Sequence, residues 1–175
     1  MITETHLTVS ATRDRESSGI FQLYLEGIVA GVIGAATIAI WFLILDTIYV
    51  RALYTPTVLG TALFRHGEGL ASPENLPISL RMTLMYTWVH GLAFCVIGGI
   101  ASRLLALAEQ NPNVGFGILL FFVLFEFGFV ATATVFAQPV LHALAWPAIL
   151  VGNLLAAASM AGYFWRRHPH LTVRP

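Results

Sequence analysis

The chain has 175 residues, 57% of them hydrophobic and 10% charged, with a mean hydropathy of +0.77 and no formal net charge. Soluble domains carry about 25% charged residues. A water-soluble enzyme, a disordered tail and a secreted disulfide scaffold are therefore disfavoured, and the composition reads as an integral membrane protein. Zero net charge leaves no basic footprint for nucleic acid. The single cysteine, Cys95, lies in an apolar run and reads as a small buried hydrophobe, because one thiol makes neither an internal disulfide nor a C-x-x-C site.

Residues 1–20 read as a polar cytoplasmic tail with mixed charge. They lack a basic n-region leading into a short apolar core, so a cleavable signal peptide is not expected. Four apolar runs follow, at about 23–49, 84–108, 114–137 and 141–165. Each exceeds the ~20 residues a helix needs to cross a bilayer core. In lipid the backbone must satisfy its own hydrogen bonds, so the runs are expected to be helices. The fold class is thus all-α: one antiparallel four-helix transmembrane bundle over 21–167, with 168–175 as a short C-terminal tail.

The long connection, 51–81, is expected to hold a short amphipathic helix at the outer membrane face. Thr55-Pro56 reads as a cap and first turn, Val58, Leu59, Ala62 and Leu63 recur at helical spacing, and Gly67 offers a stop. Ser72-Pro73-Glu74 offers a second helix start leading into span two. With four spans, Arg13, Arg15, Arg103, Arg166, Arg167 and Arg174 share one side, against Arg51, Arg65 and Arg81 on the other. That asymmetry places both termini in the cytoplasm.

Small residues mark packing faces: Gly27-x-x-x-Gly31 with Gly34 in span one, Gly98 and Gly99 with Ser102 in span two, and Ala157-x-x-x-Ala161 with Ala158-x-x-x-Gly162 in span four. Such faces let helix backbones approach closely, either inside the bundle or between copies. Span three instead carries seven phenylalanines, including Phe121, Phe122, Phe125 and Phe129. They suit lipid, a partner subunit, or a hydrophobic ligand such as a quinone.

Ionisable groups within spans are costly, and each is a functional-site hypothesis by default. Asp46, His90, Glu126 and His142, with Asn153 as a neutral companion, can be drawn together as a pocket open to the outer side. Imidazole with carboxylate suits a divalent metal or a proton relay. The alternative is plain interhelical hydrogen bonding. Glu26 lies twenty residues from Asp46, about 200° around the helix, so the two do not share a face. Arg103 reads as an interface arginine or a partner for Glu109. No Glu-x-x-His occurs for a di-iron bundle. A bis-His haem between His90 and His142 is disfavoured by about 10 Å of difference in depth. Met82 and Met85, with His90 and His66 as the other members of a copper set, read instead as apolar residues at a helix start. The cofactor therefore stays open, with a metal admissible. No nucleotide-hydrolysis or common hydrolase motif appears.

The stretches WFLILD at 41–46, RALYTPTVLGTALF at 51–64, VHGLAF at 89–94, FEFGF at 125–129 and WPAILVGNLLAAASMAGYFWRRHP at 146–169 resemble a group of small bacterial four-span membrane proteins. The resemblance implies a bacterial inner-membrane setting and carries over no catalytic residue. The expected function is that of a non-enzymatic bundle that associates with itself or serves as an accessory subunit of a larger membrane complex. A metal- or proton-handling site is the alternative, and a quinone or lipid binder the weaker one.

Overall fold

The computed structural model describes residues 2–66, 69, 70, 72, 75–111 and 146–168, with side chains from Gly19 onward, Trp146 excepted. The described residues form four helices and no strand: α1 (Ile2–Ile48), α2 (Tyr54–Phe64), α3 (Leu80–Gln110) and α4 (Trp146–Arg167). Three segments are long and apolar enough to cross a membrane: Gly19–Ile48, Leu80–Gln110 and Pro147–Arg167. At most 22% of the most apolar window in any of them is buried. Most of their apolar side chains, Phe21, Ile40, Trp88, Leu92, Val96 and Leu154 among them, therefore face outward. Span three, with Glu126 and its phenylalanines, and the start of span four, with His142, lie outside the described residues.

α1 extends through the segment read as a polar tail. Residues 2–18 contain neither Gly nor Pro. A helix nucleated in the apolar stretch propagates through such a segment at little cost.

The register of the bundle follows from close contacts. Gly27 meets Gly98 and Gly99, and Gly31 meets Phe94 and Cys95, backbone against backbone. The Ser102 hydroxyl donates to the Leu23 carbonyl at 2.8 Å. α1 and α3 are therefore antiparallel. Against α4, the Trp41 indole N–H donates to the Ala148 carbonyl at 2.8 Å, and Gly34 faces the Met160 sulfur. α1 and α4 are thus antiparallel too, so α3 and α4 run in the same direction. Ala30, Met160 and Phe164 form the core where the three helices meet, with Phe94, Ile97, Leu105 and Tyr163 packed around them.

The packing faces read from span one and from Gly98 are those that close α1 on α3. Span four differs. Its inward face is Gly152, Ala156, Met160 and Phe164, spaced one helical turn apart, while Ala157, Ala158, Ala161 and Gly162 are exposed. A Cβ added at Gly162 would meet nothing within 4 Å.

α1 ends in a Schellman motif. Arg51 N–H donates to the Asp46 carbonyl and Val50 N–H to the Thr47 carbonyl. Val50 occupies the left-handed position, φ 55°, where glycine is usual. Leu53, φ 66°, turns the chain again into α2. α2 starts one residue before the expected cap, and Leu53 at its N-cap makes no side-chain capping bond. Its cap comes from another helix: Asp46 of α1 accepts from the Thr55 N–H at 2.8 Å and from the Thr55 hydroxyl at 2.7 Å.

α2 is less simply amphipathic than its spacing predicts. Thr55, Thr57 and Thr61 are buried with Val58 and Gly60, whereas Leu63 is exposed. The threonine face packs on the start of α3. The Thr57 hydroxyl accepts from Ser79 N–H at 3.2 Å and lies 3.3 Å from the Thr83 hydroxyl. A Cβ on Gly60 would lie 2.5 Å from the Met82 carbonyl oxygen. α2 ends at Phe64, with His66 in the left-handed region at φ 50°, and the expected stop, Gly67, lies outside the described residues. α3 starts at Leu80 with Ser79 as its N-cap, later than the Ser72-Pro73-Glu74 start expected from sequence.

Candidate functional site

Of the five residues drawn together from sequence, Asp46, His90 and Asn153 are described, and Glu126 and His142 are not. The three described residues sit at three levels of the bundle. Asp46 is 5% exposed and is committed to Thr55 at the α1–α2 corner. His90 lies beside the backbone of Ala35, eleven residues back along α1 from Asp46. Eleven residues correspond to about 16 Å along the axis. The structure thus does not bring His90 to Asp46. Asn153 follows Gly152, which packs on Trp41, so it lies between those two levels; it is half-buried and already engaged.

His90 is held between two rings of its own helix. It stacks on Tyr86 with centroids 5.5 Å apart and tilts against Phe94 at 4.7 Å. Its Nε2 is buried and has no hydrogen-bond partner among the described residues.

The structure assembles a different set of titratable groups at the opposite end of the bundle. His168, one residue past α4, stands between Glu26 of α1 and Glu109 of α3. Its Nε2 lies 2.9 Å from a Glu26 carboxylate oxygen and its Nδ1 2.7 Å from a Glu109 carboxylate oxygen. The His168 and Glu26 side chains are about one-fifth exposed, and Glu109 is more open at 41%. The backbone N–H of His168 donates to the Phe164 carbonyl at 2.8 Å, which fixes the ring's position at the end of α4. Arg167 lies over the Tyr163 ring, 5.8 Å from its centroid. Glu109 is thus taken by His168, and Arg103, read from sequence as an interface arginine or a partner for Glu109, is exposed.

This cluster is a tie and not a metal cage. The imidazole sits between the carboxylates with each nitrogen used on a different side. Among the described residues no group of three His, Cys, Asp or Glu side chains is disposed to hold one metal ion. From sequence, Glu26 reads as a span-one residue that does not share a face with Asp46, Glu109 as a partner for Arg103, and His168 as the first residue of the C-terminal tail. The signal that unites them is depth, since all three fall at one end of an antiparallel arrangement.

No protein-family model matches the chain, and neither the curated proteins nor the solved structures yield a match. The resemblance to small bacterial four-span proteins rests on the quoted stretches alone.

Proposed function

We propose that the protein is a multi-pass protein of the bacterial inner membrane that works by association, with itself or as an accessory subunit of a larger membrane complex, and catalyses no reaction. The observation that carries this reading is how the polar side chains of the apolar helices are used. Trp41, Asp46 and Ser102, and the Glu26–His168–Glu109 set, tie one helical element to another. They hold a shape; they do not converge on a substrate. In hydrocarbon such ties fix which faces of the helices meet. The outward Ala158 and Gly162 face of α4 leaves a surface on which a second helix can approach closely.

The parallel course of α3 and α4 supports four crossings, with the run at 114–137 as the return between them. The arginine asymmetry supports cytoplasmic termini. In-membrane chemical crosslinking followed by mass spectrometry tests the reading. Crosslinks to a second copy or to one reproducible partner support it; absence of any crosslinked product at native expression level overturns it.

One observation favours a second reading, a proton- or metal-handling site that uses His90, with Glu126 and His142 as its candidate partners from sequence, since Asp46 is committed to Thr55 and Asn153 sits at another level. The Nε2 of His90 is buried in the middle of an apolar helix with no hydrogen-bond partner among the described residues. If His90→Ala and Glu126→Gln leave metal content, proton flux and stability unchanged, this reading is lost.

A further inference from the structure

We infer that Glu26, His168 and Glu109 form a proton-dependent latch that clamps one end of the bundle under acidic conditions and loosens it under alkaline ones. The argument is a count of protons. Two hydrogen bonds join one imidazole to two carboxylates, and each needs a proton between its heavy atoms. A neutral imidazole supplies one, on one nitrogen only. The second proton must sit on the other ring nitrogen or on one of the carboxyl groups. When it is lost, one of the two contacts becomes an acceptor facing an acceptor, and that contact opens. Histidine and its partners are the groups suited to this, since histidine ordinarily changes charge between pH 5 and 8.

The sign follows directly. Both bonds are present while the second proton is held, and one is lost as pH rises. The contact that opens releases either the last turn of α3 from the end of α4 or α1 from the end of α4. Among the described side chains, the other ionisable groups at this end are Tyr24 of α1, Arg103 of α3, and Tyr163, Arg166 and Arg167 of α4. Arginine and tyrosine are residue types that keep one charge state across that range. They set a constant field around the latch and do not act as its trigger. The latch depends on neither the association partner nor the His90 site.

Substitution by glutamine separates a latch from a passive contact. In Glu109→Gln the amide donates to Nδ1 while Nε2–H still donates to Glu26, so a neutral ring keeps both bonds and needs no extra proton. Glu26→Gln does the same in mirror image. The experiment is pulsed electron–electron spin resonance on the full chain in lipid nanodiscs. In a Cys95→Ala background one sample carries spin labels at Leu107→Cys and Trp165→Cys, to read α3 against α4, and a second at Leu25→Cys and Trp165→Cys, to read α1 against α4, all of them exposed positions. Distances are read at about pH 5.5 and about pH 8.5, either side of the middle of the ordinary histidine range. The latch predicts one narrow distance at the acidic pH and a broader distribution, reaching longer distances, at the alkaline pH. Glu109→Gln should be narrow at both, and His168→Ala broad at both. Identical distributions at the two pH values in both samples of the unsubstituted latch overturn the inference, as does a pH response in Glu109→Gln equal to that of the parent.

Discussion

Gly27 and Gly98 meet backbone to backbone: a Cβ placed on Gly27 would lie 2.6 Å from the Gly98 carbonyl oxygen. No side chain can move aside at such a contact, because both partners are main chain. Adding a methyl group must separate α1 from α3. Gly98→Ala is therefore expected to lower stability by about 1–3 kcal/mol, the usual cost of overpacking, despite alanine's better helix propensity. Gly162→Ala, where the new methyl meets open space, should leave stability within about 0.5 kcal/mol of the parent. Thermal unfolding of the two variants in one detergent checks the difference.

The seam of Gly27, Gly31 and Gly98 was legible in the sequence because small residues at a spacing of four have few other uses in an apolar helix. Three of the four apolar runs and the helix at 54–64 were legible for the same kind of reason, length and spacing. Rotation of the last helix was not. Its small residues fall on several overlapping faces, Gly152 with Ala156, Ala157 with Ala161, and Ala158 with Gly162. When both the inward and the outward side are apolar, hydropathy does not choose among them. Packing chose the first, since Gly152 admits Trp41 and Ala156 leads to Met160 and Phe164. The proposed outer cluster met the same difficulty. Depth along each helix was readable, but the pairing of Asp46 with Thr55 depends on a corner, with Val50 and Leu53 at positive φ, that no spacing rule anticipates. The His168 tie was hidden because its three members lie 83 and 59 residues apart along the chain.

Asp46 is the cap of a helix it does not belong to. Asp46→Ala leaves the Thr55 N–H and hydroxyl without their acceptor in a buried corner. A cost of about 1–3 kcal/mol is expected for the stranded donor. Thr55→Val removes only the hydroxyl bond and should cost about 1 kcal/mol. Limited proteolysis across 65–79 gives the readout: cleavage should be fastest in Asp46→Ala, intermediate in Thr55→Val and slowest in the parent.

Val50 is β-branched, 90% exposed and left-handed at φ 55°, so it stores backbone strain without burying its side chain in return. The left-handed conformation costs about 1–2 kcal/mol for such a residue. Glycine removes that strain, less about 0.5–1 kcal/mol for its greater freedom in the unfolded chain. Val50→Gly is thus expected to raise stability by up to about 1 kcal/mol. A lower unfolding temperature for this variant would show that the corner does not hold this conformation.

The outward small-residue face of α4 makes association sensitive to bulk there. Gly162→Leu should leave the helical content of the bundle unchanged while weakening contacts with a second helix. Circular dichroism and in-membrane crosslinking of the same sample separate the two effects.

Native mass spectrometry of the protein extracted in mild detergent tests the central claim most directly. The account predicts a defined mass above that of one 19.1 kDa chain, either a fixed number of copies or a complex with a partner, and predicts that Gly162→Leu shifts it toward the single chain. A folded single chain with no partner across the whole concentration range would contradict it.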